Sequence, residues 1–190
     1  MTEESQDLDS DARRITALAL NGFAEEQRES SARRTNAGSA AHLAVSVYTT
    51  AAGLPFIKSG NATVAAFIAK TTAQHTAHAE AFNAALTRAG AKTQTGPDPK
   101  YAAVVKSALP GIKTPGDVVS LAITLEDVAA QTYAKYVALA SNASMRTLFG
   151  SIAPVEAMHA AVLQFVLGRY PGPDAFLGTG KAASPALLTV

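Results

Sequence analysis

From residue 37 to residue 170 the chain divides into four long stretches of helical periodicity, each closed by residues that start or stop helices. The first runs from about Gly38 to Ala52 and stops at Gly53-Leu54-Pro55. The second opens at Asn61, a good N-cap, and continues to Gly90, around which AGAKTQTGPDPK reads as a loop. A short helix is predicted over 99–108, ending at Pro110-Gly111. The third long helix starts near Thr114-Pro115, with Pro at the first helical position, and runs to about Ala140. Ser141 or Asn142 then caps a fourth that reaches Gly168. No alternating β-branched stretch competes. Aromatics are only 6% of the chain and Trp is absent, so the apolar content is mostly Ala, Val and Leu. Small side chains of this kind suit closely packed helices better than a sandwich. The fold expected is all-α: an up-down four-helix bundle over 37–170.

The flanks differ in character. Residues 1–36 hold eight of the fifteen acids, so 1–10 reads as an acidic, solvated tail. Residues 11–35 read as a polar helix with a thin apolar edge at Ile15, Leu18 and Phe23. Residues 171–190 are rich in Pro and Gly and read as an irregular tail over the surface.

Several function classes drop out. Net charge is +1 and no basic cluster carries stacking aromatics, so no nucleic-acid partner is expected. With no Cys, disulfides, thiolate zinc sites, cysteine nucleophiles and Cys-ligated clusters are excluded. There is no G-x-S-x-G elbow, P-loop or dinucleotide fingerprint, and no small-molecule substrate is assignable. No run reaches the ~18 unbroken apolar residues of a membrane span, so no transmembrane segment is expected. Arg33-Arg34 followed by TNAGSAAHLAVSVYTTAAGL has the outline of a twin-arginine export signal. It begins late and lacks a strongly apolar run, so helix is the reading and a cytoplasmic location the expectation.

The inward faces are more informative. Projection at 3.6 residues per turn gives Val64, Ile68, Thr71, His75, His78, Phe82, Leu86 on the second helix. On the third it gives Val119, Ala122, Glu126, Ala129, Tyr133, Tyr136, and on the fourth Met145, Phe149, Ile152, Glu156, His159, Leu163, Val166. Each stripe is apolar at its ends and ionisable in its middle. A buried carboxylate or imidazole is unfavourable unless paired or metal-bound, so the middle is a candidate site. Asp127 lies on a largely polar row and should face water. Glu156-Ala-Met-His159 is an E-x-x-H pair, and His75-Thr-Ala-His78 has the same spacing. The first helix offers His42, Ser46, Tyr48 and Thr49 but no Glu. The bland reading is a satisfied polar core, with the histidines bonded to Tyr133 or Tyr136 and Glu126 accepting from a histidine.

Three segments, AQHTAHAEAFNAAL, LEDVAAQTYAKY and PVEAMHAAVLQFVLG, resemble the bacterial ferritin-like domain proteins. The likeness is strongest to an actinobacterial group whose fourth helix is followed by Y-P-x-P-D-x-F, here Tyr170 to Phe176. It covers about residues 38–185 and implies a four-helix bundle with a metal centre, exported in many relatives. Carried over, the ligands are His78, Glu126, Glu156 and His159, with His75 where better-preserved sequences carry Glu and Ala41 where the first-helix Glu is common.

Charge counting then limits the chemistry. Two carboxylates leave two divalent ions with about +2 uncompensated, several kcal/mol even at an effective dielectric near 20. One transition metal ion (iron, zinc or manganese) is therefore expected, and iron storage through rapid two-electron oxidation is disfavoured. The first reading is non-storage metal binding through Glu126, Glu156, His159 and His78, with His75 as a further ligand. The others are an iron or manganese oxidoreductase acting on oxygen or peroxide, with Tyr133 near the metal, and a metal-free scaffold or interaction protein. A homo-oligomer is plausible, in which Glu25, Glu26 or Glu29 of a second copy completes the site.

Overall fold

The computed structural model describes residues 3–60, 62–97 and 99–183, with side chains from residue 25 onward except those of 26, 27 and 100. The side chains of Ile15, Leu18, Phe23 and Glu26, and with them the expected apolar edge, lie outside what is described, as does the Asn61 cap. The helices are α1 (Glu3–Gly53), α2 (Pro55–Lys58), α3 (Ala62–Arg88), α4 (Pro99–Ala108), α5 (Pro115–Leu139) and α6 (Ala143–Val166), with a 3-10 turn at Leu109–Gly111. Among the described residues there is no strand. The all-α bundle expected from periodicity is the architecture found.

Local chemistry sets most boundaries where the sequence puts them. Thr114 and Asp117 form a reciprocal capping box at the start of α5, with Pro115 at the first helical position. The Asn142 side chain accepts from the Met145 N–H and opens α6. Gly90 ends α3 at φ +66°, which lets the Ala91 N–H reach back to the Leu86 carbonyl.

Two features depart from the sequence reading. From Glu3 onward, the tail, polar helix and first bundle helix form one continuous helix of 51 residues. Nothing in the polar stretch breaks it: Arg33 pairs with Glu29 and Arg34 donates to Ser30, each one turn back. Residues 33–39 are all buried, so packing around the helix overrides the polarity that suggested a boundary. The second departure is direction. Asn36 donates to Tyr136 and the Tyr133 hydroxyl reaches the Ala37 carbonyl, so α1 at residues 36 and 37 meets the C-terminal end of α5. Ile57, Val119 and Leu163 cluster at the other end. Hence α3 and α5 run the same way, joined by a crossover over 89–114, the one-crossover form of the four-helix bundle.

The crossover is held at Gln94. Its backbone carbonyl accepts from Asn83 and His42, its N–H donates to Asn83, and its side chain accepts from Ser39. Helices α1 and α3 pack as one pair and α5 and α6 as another. One end of the shared core is aromatic, with Phe82, Tyr133, Tyr136 and Phe149 at ring-centroid distances from 5.3 to 6.3 Å. The tail is irregular through residue 183 and lies along α5. The Lys181 N–H donates to Gln131, the Ala183 N–H to Thr132, and the Lys181 ammonium pairs with Asp127. Among the described residues α6 alone is long and apolar enough to cross a membrane, with mean hydropathy 1.3 over 18 residues. Its buried face carries Glu156 and His159 into the bundle.

Phe149 is 1% exposed amid three other rings, so Phe149→Ala should destabilise by about 3–5 kcal/mol. Asn142→Ala, which removes only a cap, should cost about 1 kcal/mol. Urea denaturation of both variants measures the contrast.

Candidate metal centre

The middle thirds of α3, α5 and α6 bring their ionisable groups to one place. His75, Glu126, Glu156 and His159 are all buried, and a ligand atom from each lies within 4.8 Å of the others. Glu126 and Glu156 are 2% and 0% exposed, so neither carboxylate is solvated by bulk water. Each has protein partners instead. Glu126 Oε1 accepts from the Tyr48 hydroxyl at 2.6 Å and contacts His75 Nε2 at 3.1 Å. Its Oε2 lies 3.3 Å from His159 Nδ1, which is equally distant from Glu156 Oε2. Glu156 Oε1 contacts His78 Nδ1 at 3.0 Å.

The two histidines of α3 are placed differently. His75 is 1% exposed and sits between the carboxylates, with Nδ1 3.6 Å from Glu156 Oε1 and without a hydrogen-bond partner. His78 stands at the rim with its side chain 12% exposed, touching Glu156 but outside the group of four. Three residues of helix turn a side chain by about 300°, so the pair shares a face without sharing a centre. The ordering of the sequence reading, His78 inside and His75 as an addition, is thereby reversed in position.

Tyr133 and Tyr136 do not bond the histidines. Their hydroxyls reach Ala37 and Asn36, nearer the aromatic end. The phenol at the cluster is Tyr48, its ring stacked 5.5 Å from His75. Helical projection places Tyr48 on the first helix without a role. The signal for it was a row of small buried residues, Ala37, Ala41 and Ala51, in which Tyr48 is the one large side chain. Gln74, whose Oε1 lies 3.0 Å from His159 Nε2, has no such signal, because the contact crosses from α3 to α6. His42 serves the crossover, not the cluster. Glu25 and Glu29 are exposed, and Glu29 lies about 28 Å along the α1 axis from Tyr48.

Electrostatics follow from this packing. Burial pushes the Glu156 carboxyl up, but hydrogen bonds from His159 and His78 and the nearby His75 outweigh it and hold the group well below the usual carboxylate range. Burial disfavours the His159 cation, yet its bonds to Glu126 and Glu156 raise its pKa to about 9. Burial, reinforced by the Glu126 charge and hydrogen bond, pushes the Tyr48 phenol up, so it acts as a neutral donor. At neutral pH His159 therefore donates from both nitrogens, to the carboxylates and to Gln74. Its Nδ1 proton occupies the position from which the same nitrogen would face a cation.

This donor set fits a divalent metal ion. Two carboxylates and two imidazoles converge, His75 Nδ1 is unpartnered, and Gln74 is placed to accept the outer N–H of His159, as metal-bound histidines require. A helix bundle carrying Glu and His from facing helices defines the ferritin-like class. The chain belongs to the Ferritin-like domain family, whose description matches residues 29–169. No curated protein and no solved structure matches it.

The metal-free protein should show a definite pH dependence. His159 titrates near 6.5 when unfolded and at about 9 when folded, so its stabilisation is complete below pH ~6.5 and lost as pH rises through about 9. Glu156 is depressed, so its stabilisation is present above the ordinary carboxylate range and lost on acidification. Stability of chelator-treated protein should peak between about pH 5 and 6.5 and fall by on the order of 2–3 kcal/mol towards pH 9. Denaturant titration at several pH values, with His159→Gln as the control that flattens the alkaline limb, checks this.

Proposed function

We propose that the protein binds one divalent transition metal ion through Glu126, Glu156, His159 and His75, in a role other than bulk iron storage. The observation that carries the reading is the meeting of four buried ligand atoms within 4.8 Å. Two carboxylates balance one divalent ion; a second ion would leave about +2 in a low-dielectric core. Equal numbers of imidazole and carboxylate suit zinc, iron or manganese and are less oxygen-rich than a ferroxidase centre. The ion would supply a Lewis acid and, if iron or manganese, a redox couple. Around it, the Tyr48 hydroxyl and His78 fix the two carboxylates, and Gln74 orients His159.

A second reading is an iron- or manganese-dependent oxidoreductase acting on oxygen or peroxide. It is favoured by a small apolar pocket, about 80 Å³, that borders Tyr48, His75 and Glu126 and can admit a diatomic molecule beside the cluster.

Elemental analysis of purified, untagged protein should give about one equivalent of a transition metal, lost in Glu156→Ala and His75→Ala. His78→Ala and Tyr48→Phe, which touch only the ligands, should keep the metal with affinity reduced roughly 10–100-fold. Two equivalents of iron would overturn the charge argument. No metal after reconstitution would leave a metal-free scaffold. Peroxide or oxygen consumption by the iron- and manganese-loaded forms separates the oxidoreductase from simple binding.

A further inference from the structure

At the end of the bundle opposite the aromatic cluster lies a cavity of about 370 Å³, between α1, α3 and α5 and roofed by α4. Its floor is buried: Tyr48, Ile68, Ala122 and Leu163 are at most 6% exposed. Its walls are aliphatic almost throughout. The polar side chains are collected at the rim, where Ser46, Thr50 and Lys106 are exposed. Among the described residues Lys106 is the only charged one in the lining, and no carboxylate pairs with it.

This distribution restricts what can enter. A ligand with polar atoms along its length would lose their hydration without replacement, because the floor offers only the Tyr48 hydroxyl, already committed to Glu126. The occupant must be apolar except at one end, and that end must suit a cation. An apolar cavity of about 150 Å³ takes benzene, so one of about 370 Å³ has room for roughly a dozen carbon atoms. We infer that the cavity binds the aliphatic chain of an anionic amphiphile, a medium-length fatty acid or the acyl chain of an acidic lipid. The head group sits at Lys106, Ser46 and Thr50, and the chain end lies against the Tyr48 ring. The site stands apart from the metal reading, since none of the four clustered residues lines it.

Calorimetric titration of delipidated protein tests it with octanoate, decanoate, dodecanoate and dodecanol. The expected result is one equivalent of bound chain, with affinity rising about fourfold per methylene from octanoate to dodecanoate. Lys106→Gln should weaken dodecanoate several-fold and leave dodecanol unchanged. Val105→Trp in the roof and Val64→Trp in the wall, each checked for native helicity by circular dichroism, should abolish binding of both. Uptake of free dodecanoate identifies a free acid as the ligand. Uptake only from phosphatidylglycerol vesicles, lost in the filled variants, identifies a lipid chain. Absence of uptake from either source, no dependence on chain length, or undiminished binding in both filled variants would overturn the proposal. Chelator-treated and metal-loaded protein should both bind, so failure of the metal reading leaves this result intact.

Discussion

Two carboxylates buried in the middle of a helix bundle set the terms for everything around them. Removing Glu126 and Glu156 from water is tolerable only if each oxygen finds a donor, and the four donors come from three helices of the bundle. Tyr48 arrives from α1, His75 and His78 from α3, and His159 from α6. Replacing His159 or His78 by an apolar residue leaves a buried carboxylate oxygen unmet, which is worse than never having had the pair. The relative heights of the four helices are thereby tied to a cluster only a few ångströms across. The aromatic packing above and the aliphatic packing below contribute most of the buried apolar area but are far less particular about register.

The same cluster couples protons to its state. In the metal-free form a cationic His159 joins the carboxylates. A divalent cation held by the same atoms would have to displace that proton, so metal affinity and pH are linked through one nitrogen. With only two acids, the site would be balanced by one doubly charged ion.

Much of this was legible in the sequence because α3, α5 and α6 are amphipathic with ionisable groups interrupting the apolar stripe. Periodicity alone placed Glu126, Glu156, His75 and His159 inward. It also placed Asp127 on the outer side, where it is partly covered by Lys181. Thr114 and Asn142 marked their helix starts for the reasons that make them good caps. Other features were illegible for equally physical reasons. Arg33, Arg34 and Asn36 look like a wet segment, yet they lie in a helix packed on every side, and burial there is a property of the neighbours. Tyr48 and Tyr133 are both core tyrosines, and only the crossing of α1 against α5 decides which hydroxyl meets a carboxylate. Gln94 sits in a loop of polar residues that periodicity cannot rank, though it pins the crossover.

The adjacency of Glu126 and Asp127 has a mechanical consequence. One peptide unit of α5 turns the first acid into the core and the second outward to Lys181, with Gln131 and Thr132 holding the same strap a turn further on. The Pro/Gly-rich segment is thus clasped to the stretch of helix that carries a cluster carboxylate. An irregular surface segment is fastened to the same two turns of α5 that carry the most buried acid of that helix.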